Sequence, residues 1–265
     1  MNQTPASSPD PFMERPPEPA QPRQQYVVRL PSQPPTMTYA LIGVTVFFYI
    51  LQMIASAFFP LSAYGIDQVT SLGARISQNI YNGELWRLIT PIFLHGSIPH
   101  IFFNMYALLS IGTLIERHFG RTRFLLLYFL AGFSGNVLSF LFTRGYSVGA
   151  STSIFGLIAA EAILFYQNRK LFGSHARQAI GNAVFIIAIN LFLGLAPSID
   201  NWGHIGGLIG GAIFAWFAAP KWITVGMPPE FSLQDERESR EVSIGVALVL
   251  LIFGGLTAWA LMFGG

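Results

Sequence analysis

The segment Gly145-Tyr-Ser-Val-Gly-Ala-Ser-Thr-Ser-Ile-Phe-Gly-Leu-Ile-Ala-Ala-Glu-Ala-Ile-Leu-Phe-Tyr-Gln167 decides how this chain is read. From Ser151 to Gln167 it is an apolar run interrupted by one formal charge, Glu161. As a helix it is about 25 Å long, short of the roughly 30 Å hydrocarbon thickness of a bilayer. Residues 145–150 must cover the missing height without being helical. Irregular backbone survives at that depth only where protein or water satisfies its polar groups, so the segment is expected to line a water-filled pocket. Gly149 permits a sharp turn into the helix, which leaves Ser151 at a helix start beside N–H groups that have no intrahelical partner.

Working outward, the whole composition makes lipid the relevant solvent. The 265 residues are 52% hydrophobic and 11% charged, with a mean hydropathy of +0.50. Soluble domains carry about 25% charged residues, so this chain cannot coat a water-exposed surface. The composition also excludes a wholly disordered polymer and a coiled coil. A net charge of +2 is too small for a phosphate-tracking surface, which excludes nucleic acid as a partner. Cysteine is absent, and with it disulfides, thiolate metal sites and a thiol nucleophile.

Seven uncharged or nearly uncharged runs follow one another: Tyr39 to Phe59, Ile98 to Ile115, Phe124 to Thr143, Ser151 to Gln167, Gln178 to Ser198, Trp202 to Pro220 and Val242 to Phe263. Each is close to the roughly 20 residues of a spanning helix, which predicts an all-α polytopic membrane protein with seven transmembrane helices. Residues 1–36 hold ten of the seventeen prolines and are expected to form a disordered cytoplasmic tail, with residues 37–265 as the membrane domain. The tail lacks the pattern of a signal peptide, so the first run is expected to stay as an anchor.

Basic residues set the orientation. Arg15, Arg23, Arg29, Arg117, Arg121, Arg123, Arg169, Lys170, Arg177, Lys221, Arg237 and Arg240 fall on one side of the runs; Arg75, Arg87 and Arg144 fall on the other. That asymmetry predicts a cytoplasmic N-terminus and an outside C-terminus. It also provides a depth scale. Ser151 lies 18 residues above Arg169, His204 lies 17 above Lys221, and His100 lies 17 above Arg117. These heights agree within about 1.5 Å. Asn104 sits one turn below His100 on the same face.

A helix-capping serine or a histidine bonded across a bundle explains each residue alone. Their shared level points instead to acyl transfer. A serine hydroxyl needs a base, for which His204 is the candidate. The developing oxyanion needs donors, which backbone N–H groups near Ser151 and the side chains of His100 and Asn104 can supply. The chemistry calls for no cofactor and no metal. A zinc protease would want His-Glu-x-x-His, an aspartyl mechanism two buried carboxylates, and the soluble hydrolase elbow a final glycine where Ser153 stands; all three patterns fail here.

These residues resemble the rhomboid family of intramembrane serine proteases. Glu84-Leu-Trp86-Arg87 is similar to its first-loop Trp-Arg motif, and His95 with His100-Ile-Phe-Phe-Asn104 to its second-helix motif. Glu116 followed by Gly120, Gly149-Ala-Ser-Thr-Ser-Ile-Phe-Gly156, and Gly203-His-Ile-Gly-Gly207 with Gly211 follow in the family's order. The resemblance implies a six-helix core with one added C-terminal helix. It implies Ser151 as nucleophile, His204 as general base, and His100, Asn104 and the Thr152 backbone N–H around the oxyanion. Phe155 would pack on the His204 ring. Thr152 departs from the family's usual glycine, and its side chain is expected to narrow the pocket or restrict the turn.

Other features have quieter expected roles. Gly203, Gly207 and Gly211 form a small-residue face toward the helix of Ser151. Asp200 is read as a loop or cap residue ahead of His204, and Trp86 with Arg87 as outer-loop anchors at the lipid headgroups. Residues 60–99 are too long for a plain connector and are expected to lie partly in the interface. Glu161 is low enough to reach the cytoplasmic interface.

The functional expectation is an endopeptidase that cuts transmembrane or membrane-anchored proteins near the outer face, integral to a membrane of bacterial plasma-membrane type. A catalytically silent scaffold or chaperone that binds transmembrane segments is the alternative.

Overall fold

The computed structural model describes residues 34–196, 199–227 and 230–264, so the expected tail lies almost wholly outside the described residues. The first long helix, α1 (Thr36–Phe58), is followed by a structured loop. That loop contains α2 (Gln68–Gly73), β1 (Arg75–Ile76), α3 (Ser77–Tyr81) and two 3₁₀ turns, Leu85–Leu88 and Thr90–Phe93. Helix α4 (Ile98–Ala107) starts at Ser97, whose side chain accepts from the His100 N–H, and continues through a π turn at Leu108–Gly112 into α5 (Thr113–Phe142). Gly120 breaks α5 at φ 76°, ψ 166°, a left-handed conformation that separates the second and third apolar runs. Then come β2 (Tyr146–Ser147), α6 (Ser151–Gln167), α7 (Arg169–Phe172), α8 (Ser174–Leu193), α9 (Asn201–Ala218), the hairpin β3 (Trp222–Met227) and β4 (Glu230–Asp235), and α10 (Ser239–Phe263).

The protein is a mostly helical, polytopic membrane protein. Among the described residues, four helices are long and apolar enough to cross a bilayer by themselves: α1, the continuous 98–142 unit, α8 and α10. Their outer faces carry Phe47, Phe185 and Leu251 at 56–72% exposure, the reverse of a water-soluble surface. The all-α expectation overlooks two antiparallel ribbons. One pairs Arg75 with Ser147; the other runs from Trp222↔Asp235 to Met227↔Glu230. The β3–β4 segments are short and lie outside the long apolar runs, where side-chain alternation replaces helical periodicity.

Contacts sort the helix ends into two groups. At one end Gln52 bonds to the His95 carbonyl, Ser139 to Asp200, and the His204 ring to Ser151. At the other, Thr38 bonds to Glu116, Arg123 to the Ala218 carbonyl, and Arg237 to Gln167. The successive helical segments therefore alternate in direction. Buried Glu116 terminates α1 from across the bundle: its carboxylate accepts from the Met37 and Thr38 N–H groups at 2.8 and 2.7 Å and from the Thr38 hydroxyl.

Helix α6 is the central element, buried without interruption from Thr152 to Ala160. Glycines let α9 approach it closely. A side chain at Gly207 would collide with the Thr152 carbonyl, and one at Gly211 with the backbone of Gly156. This is the small-residue face anticipated from the sequence. A second face, unanticipated, places Gly206 and Gly210 against Ser134 and Gly135 of α5.

Candidate active site

Ser151 is the first residue of α6, and His204 is in the first turn of α9. The glycine contact between those helices brings the two together: His204 Nε2 lies 3.0 Å from Ser151 Oγ. Phe155, one turn along α6, stacks flat on the imidazole at 4.3 Å between centroids and 8° between planes. His204 Nδ1 is buried and has no hydrogen-bond partner among the described residues. Ring stacking rather than a second side-chain hydrogen bond thus sets the imidazole plane.

His100 and Gly149 are neighbours. Gly149 has φ +136°, and a Cβ there would stand 2.8 Å from His100 Nε2, so both its backbone and its contact require glycine. The Gly96 N–H donates to His100 Nδ1 at 3.4 Å. That assigns the ring proton to Nε2 and makes the atom facing residues 149–151 a donor. Asn104 is turned back on its own helix, its amide donating to the His100 carbonyl at 2.9 Å; it makes no bond to Ser151. The N–H groups of Ser151, Thr152 and Ser153 belong to the first turn of α6 and lack intrahelical acceptors.

Residues 82–221 match the family model described as the Rhomboid domain. The chain belongs to the rhomboid family. It is 40% identical over 222 residues to "Rhomboid protease GluP" of Bacillus subtilis, covering 83% of this chain and 41% of that protein. It is 39% identical over 150 residues to "RHOMBOID-like protein 1" of Arabidopsis thaliana, covering 56% and 38% respectively. The chain therefore spans about two fifths of the length of these relatives.

Around this rhomboid site stand residues that sequence reasoning assigned elsewhere or passed over. Thr152 does not face the pocket. Its side chain packs into the α5–α9 contact, where a Cβ on Gly135 or Gly203 would meet it at 2.6 and 3.1 Å. The expected narrowing is thus corrected: the added atoms fill space between helices. Arg87 is also not a headgroup anchor. It is 2% exposed and donates to the Ala74 carbonyl at 2.7 Å and to Glu84 at 2.6 Å, while Trp86 stays half-exposed with its indole N–H on the Leu72 carbonyl. The Arg87 hydrogen bond holds the Glu84 carboxyl below its usual pKa.

Asp200 is the N-cap of α9, accepting the Gly203 N–H at 2.9 Å. It also accepts hydroxyl bonds from Ser139, Thr143 and Ser147. Arg75, fully buried, joins the same network through Ser139 and holds the Thr143 and Gly145 carbonyls. This network ties residues 143–147, just ahead of Ser151, to the start of the helix that carries His204. On the other flank the Ala150 N–H points to His95 Nε2 at 3.5 Å, and Gln52 of α1 clamps the His95 backbone through both amide atoms. Gln52 had a legible signal, a lone amide inside an apolar helix. The Arg75 network had none, because its members are scattered over 125 positions of sequence.

Proposed function

We propose that the chain is an intramembrane serine endopeptidase with Ser151 as nucleophile and His204 as general base. The carrying observation is the 3.0 Å Ser151–His204 contact beneath a flat Phe155 stack. His204 Nε2 takes the Ser151 hydroxyl proton as Oγ attacks the scissile carbonyl, and the imidazolium returns that proton to the leaving amine. Water, activated by the same imidazole, then releases the acyl group. The oxyanion is stabilised by His100 Nε2–H, by N–H groups of the α6 start including that of Thr152, and by the second amide hydrogen of Asn104 after a small side-chain rotation.

Seven spans, a cytoplasmic N-terminus and an outside C-terminus place this dyad in the outer leaflet, in a membrane of bacterial plasma-membrane type. The substrates are transmembrane or membrane-anchored proteins. Because helical hydrogen bonds shield a peptide bond, the cut segment carries small or helix-weakening residues that let it unwind.

Cleavage of a model transmembrane substrate in reconstituted vesicles tests the reading. Wild type is expected to cut near the outer face, with product from Ser151→Ala and His204→Ala reduced at least about 1,000-fold. Equal product from all three overturns the dyad. Substrate binding without cleavage by any of them supports the silent-scaffold alternative.

A further inference from the structure

At the end of the bundle opposite Ser151, the last turns of α6 and α9 and the first turn of α10 border an open pocket of about 340 Å³. Tyr166, Gln167, Arg169, Trp216, Lys221 and Arg237 line it, together with the Glu241 carboxylate that Arg237 pairs with. The cavity is firmly built. Arg237 is 7% exposed, donates to the Ala219 carbonyl at 3.0 Å and to Gln167 at 2.8 Å, and pairs with Glu241 at 2.5 Å. Asn168 beside it bonds to the Pro220 carbonyl and accepts the Trp222 N–H.

Charge at this end is divided into two classes. Arg123 pairs with Asp235 and Arg237 with Glu241, so those two arginines hold the fold together. Arg169 and Lys221 form no salt bridge among the described residues; Arg169 donates to the Tyr166 carbonyl at 3.0 Å, and the Lys221 charge acts on Glu241 from a distance. Arg169 lies over the Tyr166 ring at 4.7 Å, and Tyr166 and Trp216 stand side by side at 6.2 Å, about half-exposed. An arginine over a tyrosine ring and a lysine lining the same pocket, next to the lipid-exposed flank of α10, match a molecule with an anionic head and apolar tails.

We propose that this cavity is a binding site for the phosphodiester headgroup of an anionic phospholipid, with Arg169 and Lys221 holding the phosphate and Trp216 packing on the upper acyl chain. The site does not depend on the chemistry at Ser151. Tyr166 and Trp216 give it an interfacial depth that a free anion would not need.

Delipidated protein in detergent, titrated with phosphatidylglycerol, phosphatidylcholine or inorganic phosphate and read by native mass spectrometry, tests the proposal. Wild type is expected to bind the first phosphatidylglycerol at least tenfold more tightly than phosphatidylcholine. Arg169→Gln with Lys221→Gln should erase that preference, while Arg117→Gln with Arg121→Gln, basic residues outside the cavity, should keep it. Equal binding of the two lipids by wild type overturns the site. So does equal loss in both double variants, which would mean diffuse attraction, or displacement of the lipid by millimolar phosphate, which would mean a simple anion pocket.

Discussion

At the residue scale, the imidazole of His204 is held by an unusual division of labour. In a hydrogen-bonded triad a carboxylate fixes the ring; here Phe155 does so by stacking, and the nearest carboxylate, Asp200, spends its acceptors on a helix N-terminus and three hydroxyls. Thr152 illustrates how a side chain next to a proposed nucleophile can point away from it. It faces Gly135 and Gly203, so its backbone N–H stays at the site while its methyl fills a helix junction. Thr152→Gly is expected to destabilise the fold by about 1–2 kcal/mol through the lost packing and to leave the cleavage position unchanged. Thermal unfolding with mass mapping of the products checks both halves; a moved cut with unchanged stability would contradict the placement of this side chain.

At the element scale, the start of α9 and the segment before α6 form one joined piece. Asp200 caps α9 and binds Ser147, four residues before Ser151, so the relative placement of the two helix starts depends on it. Burial works against its charge, yet hydrogen bonds from Ser139, Ser147, Thr143 and the Gly203 N–H hold its pKa below the usual carboxylate value. A lowered folded pKa means that its stabilisation is present above the unfolded value and is lost as pH falls. Asp200→Ala is expected to cost about 1–3 kcal/mol, constant between roughly pH 5.5 and 8 and shrinking below about pH 4. Asp200→Asn should recover much of that, because asparagine caps equally well. Chemical denaturation across this pH range is the measurement; a cost that grows toward acid would contradict the assignment.

At the scale of the whole molecule, the glycine faces of α9 and the exposed apolar flanks of α1, α8 and α10 describe a protein packed from small residues inward and greasy residues outward. The proposed orientation makes a direct prediction, aided by the absence of native cysteine. In intact cells, a membrane-impermeant maleimide should label Ala63→Cys, which is exposed at the site end, and should reach Lys170→Cys only after permeabilisation. Reversed labelling would invert the topology.

The sequence by itself determined the lipid solvent, the apolar runs and the common depth of His100, Ser151 and His204, because composition, helical rise and charge asymmetry are one-dimensional quantities. Tertiary structure alone decided the rest. The direction of the Thr152 side chain, the inward fold of Arg87, the Arg75–Asp200 network and the second glycine face of α9 each depend on which helix lies beside which, and at what distance. Residues as far apart as 75 and 200 are linked, through Ser139, only when α5 and α9 close to glycine contact. No periodicity within a single segment records that approach, since the same glycine spacing serves equally for either neighbour.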